Sequence, residues 1–204
     1  MLLNFSSLVV FLSIGVQAKS VEVKVASYNV ENLFDTEDIE IDPISGNILI
    51  SLTNNKPKKD FHGSILKIKE TNGKFDALTF SASTFIAGGE ETGLTCPDNL
   101  AFDLAGNLWI TSDISGSSMN KKDNQYTSFK NNALYVIPRH GKDAGNVIRV
   151  ASAPKDAELT GPWFSPDGKT LFLSVQHPGE QTKDVNNPTS TCLLTKTTSL
   201  NRQL

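Results

Sequence analysis

Asn99-Leu100-Ala101-Phe102-Asp103-Leu104-Ala105-Gly106-Asn107-Leu108-Trp109-Ile110 is the stretch that decides the fold. A short apolar strand runs into a turn of Asp, Gly and Asn, and a second strand of Leu, Trp and Ile leaves it. Glycine supplies the positive φ of a tight hairpin, and the acidic residue caps the turn. The pattern recurs upstream in Asp38-Ile39-Glu40-Ile41-Asp42-Pro43-Ile44-Ser45-Gly46-Asn47-Ile48-Leu49-Ile50. It recurs downstream in Gly161-Pro162-Trp163-Phe164-Ser165-Pro166-Asp167-Gly168-Lys169-Thr170-Leu171-Phe172-Leu173. One β-hairpin is thus written three times.

The turn glycines stand at 46, 106 and 168, steps of 60 and 62. Further strands are expected at Ser64–Ile68, Ala133–Ile137 and Asn146–Val150, and no long amphipathic helix is expected. A unit of this length with about four short strands is the size of a propeller blade with long loops. The expected fold is all-β, a partial β-propeller of about three blades. The competing reading is a β-sandwich with coincidental spacing. Three blades leave sheet edges open, so the piece needs a partner chain to complete the ring or else folds poorly.

An acidic residue precedes each hairpin: Glu37, Asp98 and Glu158, steps of 61 and 60. Equivalent positions on successive blades would point three carboxylates at one end of a common axis. Crowded carboxylates repel unless a cation neutralises them. Oxygen donors of this kind suit Ca²⁺, Mg²⁺, Mn²⁺ or ferric iron. The plainer reading takes Glu37 as one acid of the run Asp35 to Asp42, Asp98 as a turn cap after Pro97, and Glu158 as a solvated loop acid. Asp113 and His177 are weaker candidates.

The chain has 204 residues, 38% hydrophobic and 20% charged, with a formal net charge of -3. That composition fits one globular domain, and the charge argues against nucleic-acid binding. Leu8 to Val16 is apolar and Val16-Gln17-Ala18 fits a cleavage rule, so residues 1–18 read as a signal peptide. The expected location is secreted or periplasmic, with no membrane association after cleavage. Two cysteines, Cys96 and Cys192, either pair or stay as thiols. No GxSxG, P-loop, GxGxxG or HExxH pattern occurs.

Several stretches resemble the C-terminal half of PhoX-type alkaline phosphatases. They are Glu37-Asp38-Ile39-Glu40, Leu52-Thr53-Asn54-Asn55, Pro97 to Asp103, Gly106 to Ile110 and Asn131-Asn132-Ala133-Leu134. Ala157 to Pro162, Phe164 to Phe172 and Gln176-His177-Pro178-Gly179-Glu180 complete the string. The resemblance covers about residues 37–190. It implies metal-dependent hydrolysis of a phosphate monoester by a cluster of Ca²⁺ and Fe³⁺, with Glu37, Asp98 and Glu158 among the metal ligands.

The chain departs from that pattern where Asp35-Thr36 replace an Arg-Pro pair, whose arginine would contact phosphate. The family's N-terminal half is absent, so a truncated protein of reduced activity is expected. Residues 191–204 match nothing in the family and read as an unstructured tail. Val23 to Thr36 resembles the first strand of endonuclease/exonuclease/phosphatase proteins, with Asn29 at a Mg²⁺ site and Glu31 beside it; residues 19–36 form that piece. The functional alternatives are therefore a non-catalytic metal-binding module and a Mg²⁺-dependent phosphodiesterase.

Overall fold

The computed structural model describes residues 36–73, 78–179, 181 and 193–198. The signal-peptide segment, the nuclease-like stretch to Asp35 and Cys192 lie outside them, as do the side chains of Thr36 and Glu37.

The fold is all-β, in three antiparallel sheets. Sheet 1 runs β1 (Thr36–Ile41), β2 (Ile48–Leu52), β3 (Ser64–Glu70) and β4 (Phe80–Ala87), each paired with the next. Sheet 2 repeats the meander with β5 (Pro97–Phe102), β6 (Leu108–Ser112), β7 (Ala133–Ile137) and β8 (Ile148–Ser152). Sheet 3 holds β9 (Glu158–Phe164), β10 (Thr170–Gln176) and β11 (Leu193–Thr198). Strand β11 lies within residues 191–204, where the sequence reads as an unstructured tail, and its six residues pair with β10. Its Leu-Leu-Thr-Lys-Thr-Thr sequence shows no apolar alternation, and it becomes a strand by pairing with the edge of β10.

All three expected hairpins form. Their turn glycines have φ of +71° at Gly46, +79° at Gly106 and +68° at Gly168, the region that only glycine enters cheaply. Each turn acid is spent on its own loop. Asp103 accepts the N–H groups of Ala105 and Asn107 at 3.0 and 2.9 Å, and the Trp109 indole N–H at 3.0 Å. Asp42 accepts from Ile44 and Ser45, and the Arg139 guanidinium closes on it from sheet 2.

The sheets pack face to face. Leu49 and Ile65 of sheet 1 meet Leu100, Leu108, Ile110 and Tyr135 of sheet 2. The other face of sheet 2, with Trp109, Leu134 and Val136, meets Leu159, Leu171, Leu173 and Val175 of sheet 3. Sheet 2 is thus covered on both faces, which a two-sheet sandwich does not do. That is why β6 and β7 are buried at every residue instead of alternating. The first strands stand side by side, β5 against both β1 and β9.

Candidate functional site

Hairpins joined at one end leave the opposite strand ends free to gather side chains. At that end lie the buried polar residues Ser51, Thr53, Thr95, Asp98, Thr111, Ser112, Asn132 and Asp156. Buried polar atoms need partners, and these are stitched together. The Thr53 hydroxyl donates to the Pro97 carbonyl at 3.1 Å. Asn132 accepts the Ile114 N–H at 2.6 Å and donates to the Ile114 and Ala157 carbonyls at 3.2 and 3.3 Å, tying sheet 2 to the start of β9.

The ladders fix where the candidate acids stand. The last pair before each turn is Ile41 with Ile48, Phe102 with Leu108, and Phe164 with Leu171. Counting back four residues reaches Glu37, Asp98 and Thr160. Glu37 and Asp98 therefore share one ladder position. Glu158 lies two residues earlier, opposite Gln176. Equal sequence steps did not preserve register: Glu158 stands six residues before its last pair, where Glu37 and Asp98 stand four before theirs. A two-residue shift keeps Glu158 on the same side of its strand but moves it about 7 Å along.

In sheets 1 and 2 that shared position is the first residue of a β-bulge. Glu37 and Asp38 together oppose Ser51, and Asp98 and Asn99 together oppose Thr111. The lone opposing hydroxyl serves the bulge in both. Ser51 Oγ accepts the Asp38 N–H at 2.9 Å, and Thr111 Oγ1 accepts the Asn99 N–H at 3.0 Å. Thr111 also donates to Asp98 Oδ2 at 3.5 Å, orienting a carboxylate that is only 5% exposed. Bulges re-aim side chains beside functional sites.

A second cluster backs this end. The buried, free Cys96 directly precedes Pro97 with φ +45°. Its backbone is held by the His62 carbonyl at 2.8 Å and the Asp113 N–H at 2.9 Å. Burial pushes its thiol up to about 11, so it is an inert packing group rather than a nucleophile. The Tyr126 hydroxyl donates to the Phe61 carbonyl at 2.9 Å, and the His62 ring packs against Tyr126 and Phe129. Asp113 serves here through its backbone. His177 is exposed after β10, with φ +53°.

At the opposite, turn end, a cleft of about 570 Å³ opens between the three first strands. Glu40, Phe102, Leu104 and Trp163 are among its lining residues. Burial, then the charge of Asp38, raises the Glu40 carboxyl to about 7.

As to a metal, the donors at the strand-start end fit in kind: carboxylate, hydroxyl and carbonyl oxygens are what a hard cation takes. They are incomplete in number, since no three His, Cys, Asp or Glu among the described residues come close enough to hold an ion. Reasoning from sequence had missed Asp38, Asn99 and the paired hydroxyls Ser51 and Thr111. The signal was there in the steps of 61 from Asp38 to Asn99 and 60 from Ser51 to Thr111.

The family model for alkaline phosphatase PhoX matches residues 27–179. The match begins inside the stretch that resembles the nuclease strand. No curated protein matches. Among solved structures, Pseudomonas fluorescens PhoX in complex with vanadate, a transition state analogue, is similar at 26% identity and a TM-score of 0.65. The similarity covers 79% of this chain and 32% of that one, so this chain spans about a third of its length.

Proposed function

The chain belongs to the PhoX family of alkaline phosphatases, and from that premise we propose that its strand-start end is a metal-dependent site for phosphate monoester hydrolysis. The observation that carries this reading is the shared ladder position of Glu37 and Asp98 beside a buried polar layer. In this reading the three sheets are consecutive blades of a propeller, and their first strands line its axis. Glu37, Asp98 and Glu158 hold Ca²⁺ or Fe³⁺ together with ligands from beyond the described residues. The bound ions supply charge stabilisation for the phosphoryl oxygens. The similar structure holds vanadate, a transition state analogue, which fits a phosphoryl-transfer site. The protein acts outside the cytoplasm, as a signal segment would direct.

The chain's own residues bind and orient. Thr111 aims the Asp98 carboxylate, and Asn132 fixes the loop before Glu158. Asp35-Thr36, where the family pattern has an arginine, removes a phosphate contact, so slow turnover is expected. The same missing arginine favours one second reading, a module that binds metal without catalysis.

The test is hydrolysis of p-nitrophenyl phosphate by purified protein supplied with Ca²⁺ and Fe³⁺. Turnover is expected, with a loss of at least about 100-fold in Asp98→Ala, the scale of a removed charge-stabilising group. Calcium binding without turnover establishes the second reading. Turnover undiminished in both Asp98→Ala and Glu158→Ala ends the first.

A further inference from the structure

In sheets 1 and 2 the second residue of the bulge reaches across to the next sheet. Asp38 Oδ2 accepts the N–H of Leu100 at 2.7 Å, while its Oδ1 takes the N–H of Ile39 at 2.8 Å. One sheet on, Asn99 Oδ1 accepts the N–H of Gly161 at 2.7 Å and the Thr160 hydroxyl. Asp38 and Asn99 occupy the same ladder position, three residues before the last pair of their hairpins. The residue at that position in sheet 3 is Gly161, which has no side chain, so the series stops there.

Beyond these bonds and the ties made by Arg139 to Asp42, Thr53 to Pro97 and Asn132 to Ala157, the sheets meet through aliphatic and aromatic faces. Apolar burial is strong but non-directional, and a small slide between sheets changes it little. A hydrogen bond to a backbone N–H weakens steeply with misalignment. Binding constellations need their groups held within about 0.5 Å. The two side chains sit directly beside the candidate acids, Asp38 next to Glu37 and Asn99 next to Asp98. The amides they grip lie on the strands that carry the next functional groups.

We infer that Asp38 and Asn99 are positioning residues: each hydrogen-bonds the backbone of the neighbouring sheet's first strand and thereby sets where that strand presents its acid. Asp38 acts on Asp98 through Leu100. Asn99 acts on Glu158 through Thr160 and Gly161. The inference deepens the proposed function and rests on its reading of Glu37, Asp98 and Glu158 as one constellation.

The experiment compares Asp38→Ala with Asp38→Asn in the full chain. Both remove the charge, but only asparagine keeps an acceptor for Leu100. Amide hydrogen exchange by NMR is expected to quicken at least about tenfold at Leu100 in Asp38→Ala. It stays near wild type at Leu100 in Asp38→Asn, and at Gly161 in both. The Asp98 carboxyl ¹³C shift at fixed pH moves in Asp38→Ala more than in Asp38→Asn. Asn99→Ala gives the mirror result, with Gly161 quickened and Leu100 unchanged. With p-nitrophenyl phosphate, kcat falls in Asp38→Ala without a matching change in KM and recovers in Asp38→Asn. Equal behaviour of Ala and Asn at residue 38, or uniform quickening of all amides, overturns the inference. Absence of turnover in the wild type sinks the proposed function instead, and the exchange and shift data still decide this one.

Discussion

Two acids two positions apart show how little local sequence says about charge. Asp42 and Glu40 lie at the same hairpin turn, yet they shift in opposite directions. Burial alone would raise Asp42, but bonds from Arg139, Ser45 and the backbone outweigh it and bring the carboxyl down to about 2. Glu40 has burial and the Asp38 charge against it, with one backbone bond in its favour, and rises from 4.5 to about 7. For Glu40 the folded value exceeds the unfolded one. Its ionised form is disfavoured by folding, so stability is fullest below about pH 4.5 and declines as pH rises to 7. Glu40→Gln is therefore expected to leave the melting temperature nearly unchanged at pH 4. At pH 8 it raises stability by about 1 kcal/mol, once the shift is discounted for the side chain's contact with solvent. An equal change at both pH values would show that Glu40 titrates normally.

Hairpins were the most legible elements, because their signal is local. A glycine with positive φ between apolar runs can be read from a dozen residues, and all three turns formed as read. Strand β7 matched its expected bounds for the same reason: Ala133 to Ile137 is one unbroken apolar run. Strand β4 was not foreseen. Phe80–Ala87 is largely exposed, and its serines and threonines carry no apolar period; it becomes a strand only by pairing with β3. The bulges were hidden too, and with them the true register of Glu158. Insertions in a strand leave the sequence spacing nearly intact while changing what faces what.

One part of the turn design is testable at this scale. A Cβ at Gly46 would meet nothing within 4 Å, but at Gly106 it would come within 2.6 Å of Ile44 Cδ1 and 3.0 Å of Arg139 Nε. Gly46→Ala carries only the cost of left-handed backbone, about 1 kcal/mol. Gly106→Ala adds displacement of Ile44 and of the arginine that holds Asp42, for a total of about 2–3 kcal/mol. Urea midpoints of the two variants measure the difference, and equal losses would mean that the contact across sheets contributes nothing.

Across the whole molecule, sheet 2 is the piece the other two depend on, and the two tryptophans report it. Trp109 is 2% exposed, its ring centroid 5.5 Å from that of Phe164 at 63°, where sheet 2 meets sheet 3. Trp163, one residue from Phe164 and paired with Phe172, is 70% exposed. Trp109 of sheet 2 thus packs on the face of sheet 3 that Phe164 presents, while alternation along β9 sends Trp163 to the opposite face of sheet 3. Trp109→Ala empties the core between two sheets and is expected to cost about 3–5 kcal/mol. Trp163→Ala removes exposed surface and should stay within about 0.5 kcal/mol. Fluorescence follows the same logic: the Trp163→Ala protein keeps a blue-shifted indole that turns red only on unfolding. The Trp109→Ala protein emits from a wet indole throughout. If Trp109→Ala unfolds at the wild-type denaturant midpoint, the sheets do not stack as one core, and the strand-start acids have no shared frame to converge in.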